Sequence, residues 1–442
     1  MNKVVFRSEI SPVDANKTIG PARTHLYSFV IAKRMKLDGH NVSYIIKCDD
    51  SDSKKHKKQN FYGIHAFLVS LGIKADIHPY NSEEILGCSL FQSERSEIYR
   101  KYLGQLLDSG LAFPADNSGF VVFDVEKFAT DCASKIEIKD ELLGELIFSV
   151  EDILREGQRV FPLRRSDGSY LFNFASVADD LELEVTHVVR GQDKIHVIPI
   201  QEMIRIALGF FSPAYIHLPL LCDEKGKRTG GYVQFDDFLK VGILEAALMS
   251  YVLSSGYGNP DEIFLSLDEF ITKFNLENLH RNNTRFCAER LNNINRRVAH
   301  LLSSNQYRQA IQSYAVKSYD PKMLEIMGDA DVQYFLEEFR MTPKESIDIV
   351  DRIMFPKESP PDNTLIKCIR QTIERLRSGT EFDTLCSELG YFGKDIFSKS
   401  LRWVLIRETG GIELKKIFLF LKKKGLLIER AEMATKAMRQ FF

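Results

Sequence analysis

The sequence has no C-x-x-C pair, no long apolar run and no large excess of charge of either sign. Its seven cysteines are scattered over 442 residues, which favours reduced thiols in a cytoplasmic protein over a disulfide framework or a four-cysteine zinc site. No run is long enough to span a membrane, and the amino-terminal MNKVVFRSEI lacks the apolar core of a signal peptide. Because the net charge is only −2, any contact with nucleic acid must come from local basic patches.

Residues 1 to 110 alternate between strand-like and helix-like segments. VVF (4–6) and NVSYIIKC (41–48) are typical of strands, residues 22–38 of a helix, and ADIHPY of a further short strand. The amphipathic SERSEIYRKYLGQLLDSG predicts a helix that ends at Gly110. Such alternation predicts a parallel sheet with its ligands at the carboxyl ends of the strands.

Two further changes of pattern divide the rest of the chain. Residues 111–160, with FVVFDV, predict a short insertion, and the α/β pattern returns in THVVRG, PIQEMIRIALG and YIHLPLLC. Leu and Ile then recur at helical spacing from about 241 to the end, as in TLIKCIRQTIERLRSG. With 442 residues, two or three domains are expected, namely an α/β part with an insertion and an all-α part.

The stretch KTIGPART, residues 17–24, lies between a predicted strand and a predicted helix. A strand, a glycine-containing turn and a helix can present backbone N–H groups to a phosphate. Three interpretations are open from these residues alone: a working nucleotide site, a decayed one, or a helix cap in which Thr18 satisfies an N–H group.

Several motifs follow KTIGPART in a fixed order, and together they carry a resemblance. They are KCDDSD, FQSERSEIYRKYLGQLLDSGLAF, RRSDGSYLFNFASVADD, THVVRGQDKIHVIPIQEMIRIALG, HLPLLCDEKGKRTGGYVQFDDFLKVGILEAALMSYVLSSGYG and LSLDEFITKFNLENLHRNNTRFCAERLNNINRR. The ordered set resembles bacterial glutamyl-tRNA synthetase, a class I aminoacyl-tRNA synthetase, over residues 1 to about 300. The resemblance implies a Rossmann-type catalytic domain, ATP with Mg²⁺, glutamate, and a tRNA expected to be tRNA-Glu. It also implies a cytoplasmic monomer with no membrane contact.

The resemblance also implies a domain plan. The Rossmann catalytic domain would comprise residues 1–110 and 161–240, interrupted by a shortened acceptor-binding-type insertion at 111–160. Residues 241–320 would form a helical stem-contact region and residues 321–442 an anticodon-binding-like helical domain. The family's cysteine-rich zinc knuckle has no counterpart in LAFPADNSGFVVFDVEKF, so no zinc is expected.

Residues that would bind the amino acid follow from matched positions. Arg7 stands where the family's Arg binds the glutamate carboxylate, as a planar guanidinium fork suits. Asp49 begins the acidic turn Asp49-Asp50-Ser51-Asp52, whose first member contacts the amino group in the family. Phe172 replaces a pocket Tyr, and the resemblance also places Ser11 and Arg190 at the substrate. The plain alternatives are a solvated strand-end Arg and a turn rich in Asp.

Both sequence signatures of class I chemistry are altered. The first reads Thr18-Ile19-Gly20-Pro21 instead of His-hydrophobic-Gly-Gly, and the second reads Glu224-Lys225-Gly226-Lys227-Arg228 instead of Lys-hydrophobic-Ser-Lys-Arg. The resemblance implies catalytic roles for Thr18, Lys227 and Arg228. It implies ATP contacts for the residues at the matched positions, which are Thr18, Ile19, Gly20, Gln192, Asp193 and Lys227. Because Glu224 would repel pyrophosphate, we interpret the site as weakened or re-tuned.

Two function classes remain open from the sequence, besides a narrower option, an enzyme that activates an amino acid for a different acceptor. One is an ATP-dependent ligase of the glutamyl-tRNA synthetase kind, slow or specialised. The other is a catalytically reduced paralogue that binds tRNA or a small ligand in a regulatory role. The joint presence of Arg7, Arg190, Lys227 and Arg228 favours the enzyme, and we expect Arg7 and Arg190 to line one pocket near Asp49. The basic run KKHKK (54–58) could touch RNA phosphates, although a solvated surface is the favoured interpretation.

Overall fold

The computed structural model describes residues 3–13, 17–51, 57–115, 118–223, 226, 234–318, 321–357 and 359–441. The chain divides into two compact units. The sheet unit comprises Met1–Asp237 and Glu245–Ile294, and the helical unit comprises Phe238–Leu244 and Asn295–Phe442.

A mostly parallel six-stranded sheet forms the centre of the sheet unit. Its strands lie in the order β2 (Val42–Cys48), β1 (Val4–Ile10), β8 (His187–Gly191), β9 (Ala214–Leu218), β5 (Lys135–Asp140) and β6 (Gly144–Ser149). All neighbouring pairs are parallel except β5 with the edge strand β6. β1 and β2 pair in register from Val4 opposite Val42 to Ile10 opposite Cys48. Both strands are apolar along most of their length, as expected of strands covered on both faces. The predicted Rossmann-type parallel sheet is therefore confirmed.

Two smaller sheets complete the strands of this unit. One is antiparallel, with the order β3 (Ala112–Pro114), β4 (Val121–Asp124) and β7 (Val160–Arg164), and the other pairs β10 (Leu221–Cys222) with β11 (Thr284–Arg285). Residues 111–160, predicted as an insertion, thus contribute strands both to the antiparallel sheet and, through β5 and β6, to the central sheet. In β5 the buried and exposed side chains alternate strictly, which places its isoleucines in the core.

The predicted strand ADIHPY (75–80) is wrong. Only Ile77 forms a bridge, to Ile45 on β2, and the chain then turns. Pro79 cannot donate a ladder hydrogen bond, and the Asn81 side chain accepts from the His78 N–H at 2.7 Å, which favours a turn at this point.

Helices cover the faces of the central sheet. Buried apolar side chains from the helices and the strands together form the core. The helices that begin in the sheet unit are α1 (Ile19–Leu37), α2 (Lys58–Ser70), α3 (Ser82–Leu86), α4 (Ser96–Asp108), α5 (Val125–Asp131), α6 (Val150–Arg155), α7 (Phe172–Glu182), α8 (Ile198–Ala207), α9 (Phe235–Lys240), α10 (Glu245–Ser254), α11 (Leu267–Lys273) and α12 (Ala288–Leu301). Short 3-10 helices span Gln92–Glu94, Gln192–Val197 and Leu276–Asn278. Gly110 follows α4 with a φ of +69°, as predicted for the end of that helix.

All regular structure in the described part of the helical unit is helical, which confirms the predicted all-α region. Its helices are α13 (Ser304–Ser318), α14 (Pro321–Gly328), α15 (Ala330–Glu337), α16 (Pro343–Met354), α17 (Ile366–Arg377), α18 (Phe382–Leu389), α19 (Lys394–Ile406), α20 (Leu414–Lys423) and α21 (Leu427–Phe441), with 3-10 turns at Asn363–Leu365 and Gly390–Phe392. Thr342 and Glu345 form a capping box that begins α16. The buried Arg430 donates to the last carbonyls of α16, Ile353 at 2.9 Å and Met354 at 3.0 Å.

All seven cysteines are free thiols. Across the described ranges, no helix combines the length and the apolar character that crossing a bilayer requires.

Candidate functional site

A cavity of about 290 Å³ lies where β1, β2 and β8 end. This edge of a parallel sheet is where ligands bind in open α/β folds, because the strands there diverge into loops. Arg7, Asp49 and Arg190 all line the cavity, so their predicted juxtaposition is confirmed. The predicted site residues brought together here are Arg7, Ser11, Gly20, Asp49, Phe172, Arg190 and Asp193.

Arg7 is buried and already paired. Its Nε and Nη2 donate to the two carboxylate oxygens of Asp180 at 2.9 and 3.3 Å, and its Nη1 lies 3.3 Å from a carboxylate oxygen of Glu9. Nη2 also donates to the Ser176 hydroxyl at 3.4 Å. Burial lowers the pKa of the guanidinium, but Asp180 and Glu9 more than offset this, so the pKa stays above its ordinary value. The interpretation of Arg7 as a solvated strand-end residue is therefore wrong.

Arg190 is the second buried arginine of the cavity, and its hydrogen-bond partners carry no charge. Its Nε donates to His217 Nε2 at 3.0 Å and its Nη1 to the Gln201 side-chain oxygen at 2.8 Å. Its Nη2 is buried without a hydrogen-bond partner in the described part of the chain. Burial lowers the pKa of this guanidinium. An arginine in this state gains most from an incoming anion, since the anion satisfies both the N–H group and the charge.

His217 fixes the orientation of Arg190. Its Nδ1 donates to an Asp140 carboxylate oxygen at 2.7 Å, which leaves Nε2 as an acceptor for Arg190. Burial lowers the pKa of His217 although Asp140 opposes this, so the ring is neutral at neutral pH. The hydrogen bonds between Asp140 and His217 and between His217 and Arg190 thus fix the orientation of the guanidinium. Residues hydrogen-bonded to the ligands of a metal orient those ligands in the same way.

Asp49 supplies the opposite charge to the cavity. It is 7% exposed, and its pKa is raised to about 7, first by burial and then by the negative charge of Glu9. Lys47 opposes this rise, and the Ser51 hydroxyl, which also opposes it, donates to Asp49 Oδ1 at 3.1 Å. The neighbouring Asp50 is held by the backbone N–H and the hydroxyl of Ser93 at 2.8 and 2.6 Å. One guanidinium with a free N–H and one carboxylate match the two ends of an amino-acid zwitterion. Asp52 of the same acidic turn lies outside the described residues.

The turn KTIGPART leads into α1. Thr18 is extended, with φ −89° and ψ 148°, and its side chain makes no capping hydrogen bond. The Thr18 side chain therefore does not cap the helix, although the Thr18 carbonyl accepts from the Ala22 N–H at 3.2 Å. Gly20 and Pro21 line the cavity. Pro21 has no N–H group, so in the first turn only Ile19 and Gly20 have N–H groups without a partner in the helix, and of these two residues only Gly20 lines the cavity.

Several residues predicted to bind ATP do not line this cavity. Thr18 and Ile19 are buried and are not among its lining residues, and the Gln192 side chain donates to the backbone carbonyl of Arg281 at 2.9 Å. Asp193 does line the cavity, and its carboxylate packs against Gly191, where a Cβ atom would overlap it. Of the second signature, only Gly226 is described: Glu224, Lys225, Lys227 and Arg228 lie outside the described residues.

Sequence reasoning missed several lining residues. Glu9 lies two positions after Arg7 on β1, a spacing that puts both side chains on one face of the strand and could have revealed it. His25, whose Nδ1 lies 3.1 Å from the Ser8 hydroxyl, has its pKa lowered to about 4 by burial. Arg23 ties α1 to distant loops, donating to the Pro219 carbonyl at 2.6 Å and the Ser255 carbonyl at 2.9 Å. No local sequence pattern predicts the hydrogen bond from Arg23 to the Ser255 carbonyl.

Two features bear on other partners. Lys54, Lys55 and His56 of the basic run lie outside the described residues, and Lys58 pairs with Glu94. Within the described ranges, His, Cys, Asp and Glu side chains form no group of three or more with the geometry to hold a metal ion. The absence of zinc remains a prediction.

Comparisons with known proteins agree with the fold. The family model for tRNA synthetases class I (E and Q), catalytic domain, matches residues 16–119 and 125–293. The chain therefore belongs to this family of class I synthetases.

Individual relatives carry more specific names. The chain is 30% identical over 301 residues to the glutamate–tRNA ligase of Methylacidiphilum infernorum, and the match covers 66% of this chain and 63% of that relative. It is 25% identical over 412 residues to glutamate–tRNA ligase 1 of Sulfurimonas denitrificans, and this match covers 84% of this chain and 83% of that relative. The crystal structure of glutamate–tRNA synthetase from Elizabethkingia anophelis superimposes with a TM-score of 0.76 at 19% identity, covering 98% of this chain and all of that one. This last likeness extends the shared fold through the helical unit.

Proposed function

We propose that the protein is an ATP-dependent aminoacyl-tRNA ligase that activates glutamate and transfers it to a tRNA, expected to be tRNA-Glu. Family membership supports the reaction class. The observation that carries the proposal is the pairing, in one cavity, of Arg190 with an unpartnered N–H group and the buried carboxylate of Asp49. This cavity lies at the start of α1, so an amino acid bound there would adjoin the helix N-terminus, which favours phosphate.

Each lining residue has a defined task in this proposal. Arg190 binds a carboxylate of the amino acid through Nη2, and Asp49 in its ionised form accepts from the ammonium group. Ser11 and Phe172 complete the amino-acid side of the cavity. The first-turn N–H groups of α1, including that of Gly20, face the phosphates of ATP, the substrate that with Mg²⁺ supplies the adenylyl group.

The altered signatures make the reaction slow. Activation of a carboxylate depends on charge stabilisation and alignment around the α-phosphate. Loss of one charge-assisted donor to a phosphate costs roughly 1.5–3 kcal/mol, which is a loss of rate or affinity of about tenfold to a hundredfold. In this proposal Lys227 and Arg228 stabilise the leaving pyrophosphate, while Glu224 opposes it. Gln192 and Asp193 act by holding the segment that follows β8, through the Arg281 carbonyl and Gly191, and the ATP contacts expected of Thr18 and Ile19 stay predictions.

The helical unit is proposed to bind the tRNA. Residues 241–320, of which 245–294 belong to the sheet unit, are also proposed to contact the stem, and residues 321–442 the anticodon. The chain would act as a cytoplasmic monomer, which sedimentation of the purified protein alone and with tRNA can test.

ATP–pyrophosphate exchange with a panel of amino acids, with and without tRNA, tests the proposal. We expect exchange that depends on an amino acid and, as is general among glutamyl enzymes of this family, on tRNA. Arg190→Ala should abolish exchange while ATP binding persists. If ATP at millimolar concentration does not bind even with tRNA and glutamate present, the reaction is lost and the regulatory, tRNA-binding paralogue is the better account.

A further inference from the structure

A carboxylate already occupies the amino-acid cavity beside Arg7. Glu9 lines the cavity, and its oxygens lie 3.3 Å from Arg7 Nη1 and 3.0 Å from Lys47 Nζ. The Gln92 side-chain amide also donates to Glu9 Oε1 at 3.3 Å. Glu9 is thus the carboxylate already paired with Arg7 Nη1 in the cavity, so a ligand carboxylate that approached this nitrogen would lie close to Glu9.

The surrounding charges balance only when Glu9 is counted. Arg7, Lys47 and their neighbours form a connected set of buried ion pairs among the described residues. Its cations are Arg7, Lys47, Arg95 and Arg205, and its anions are Glu9, Asp179, Asp180 and Glu202. The charges cancel without any ligand. A carboxylate that entered beside Arg7 would leave an unpaired negative charge in a buried position, which is strongly disfavoured.

Arg190 differs from Arg7 on each of these points. Among the described residues, no carboxylate is within hydrogen-bond distance of its guanidinium, and none is a hydrogen-bond partner of its Nη2. The cavity therefore offers one full anion site at Arg190, one cation site at Asp49, and a charge-neutral but hydrogen-bonding wall at Arg7 and Glu9. A glutamate carries two carboxylates, whereas glutamine replaces one of them by a neutral amide of the same shape.

We propose that Glu9 is a specificity-determining residue that disfavours a second carboxylate beside Arg7, so that the cavity binds glutamine at least as well as glutamate. This inference rests on the proposed function only in that the cavity receives an amino acid. The amide of glutamine can donate to Glu9 and accept from Arg7, whereas the carboxylate of glutamate can only accept. Glu9→Gln removes the repulsion and returns the preference to glutamate.

Calorimetric titration of the full-length chain, with tRNA present, by L-glutamate and by L-glutamine tests this inference. We expect the wild type to bind glutamine with equal or higher affinity. Glu9→Gln should bind glutamate at least about tenfold more tightly than the wild type does, because a like charge at hydrogen-bond distance is removed. Glu145→Gln, which makes the same charge change on an exposed position of β6, should alter neither affinity.

The wild-type comparison keeps the inference testable even if Glu9→Gln fails to fold. A wild type that binds glutamate measurably more tightly than glutamine would overturn the role of Glu9 and leave the proposed function intact. Binding of neither amino acid would overturn both. An unchanged glutamate affinity in a folded Glu9→Gln variant would likewise contradict the inference.

Discussion

Replacing Asp49 by Asn should stabilise the sheet unit, and the gain should grow with pH. Asp49 is 7% exposed and has a pKa raised to about 7, mainly by burial. In an unfolded chain an aspartate has a pKa of about 3.9, so between about pH 4 and pH 7 the folded state binds more protons than the unfolded one. Stability contributed by Asp49 is therefore complete below pH 4 and is lost as the pH rises through 7.

The magnitude follows from the size of this shift. About three pKa units at 1.36 kcal/mol each give a loss of up to about 4 kcal/mol by pH 8, of which about 2.5 kcal/mol falls between pH 5 and pH 8. An asparagine does not ionise, so Asp49→Asn escapes the loss. The difference in opening free energy between variant and wild type should rise by about that amount over this range.

Native-state hydrogen exchange of the β1 and β2 amides is the suitable assay. Trp403, the one tryptophan of the chain, lies in α19 of the helical unit, so its fluorescence does not report on the sheet unit. Comparison of variant and wild type at each pH removes the intrinsic pH dependence of exchange. Glu145→Gln, on the exposed side of β6, serves as the control and should show no such trend. A difference between Asp49→Asn and wild type that stays constant from pH 5 to pH 8 would refute the assigned burial and charge environment.

Three further predictions address other parts of the molecule. His217→Ala should weaken amino-acid binding about tenfold or more, because the Arg190 guanidinium loses its hydrogen-bond partner. His217→Gln should restore part of the lost affinity. Equal affinity of the wild type and both variants in calorimetry would contradict this positioning role. Lys227→Ala should slow pyrophosphate exchange more than it weakens ATP binding, because a residue at the leaving group acts on the transition state; equal effects would argue for ground-state binding. Thr342→Ala should cost the helical unit about 1 kcal/mol by removing an N-cap, measured by urea unfolding followed through Trp403 fluorescence, and an unchanged midpoint would exclude the capping role.

The sequence predicted the elements whose signal is local. The apolar runs of β1 and β2, and the helical periodicity of α17, each depend on a few adjacent residues, and the structure confirms them. The strand predicted at ADIHPY is absent, because its proline cannot donate a ladder hydrogen bond and the following asparagine forms a turn. The strand KIEIKD, residues 135–140, and its pairing with β6 and with β9 of the central sheet were not predicted, because residues 111–160 were interpreted as an insertion.

The charge environment of the cavity depends on long-range contacts. Arg7 and Asp180 are 173 residues apart in the chain, and Arg190 depends on His217 and, through it, on Asp140. No local pattern reveals that one arginine is neutralised and the other is not. The position of Arg7 in a motif therefore predicted its place in the cavity, and the pairing that changes its chemistry became visible only in the fold.

The central claim, that this chain joins an amino acid to a tRNA, is tested most directly by charging of 3′-end-labelled tRNA-Glu. The assay supplies ATP with glutamate or glutamine, and resolves free from aminoacylated tRNA after nuclease digestion. The account predicts slow, ATP-dependent charging by the wild type that disappears in Arg190→Ala and rises for glutamate in Glu9→Gln. Absence of charging with either amino acid, by a folded protein that binds both ATP and the tRNA, would contradict it.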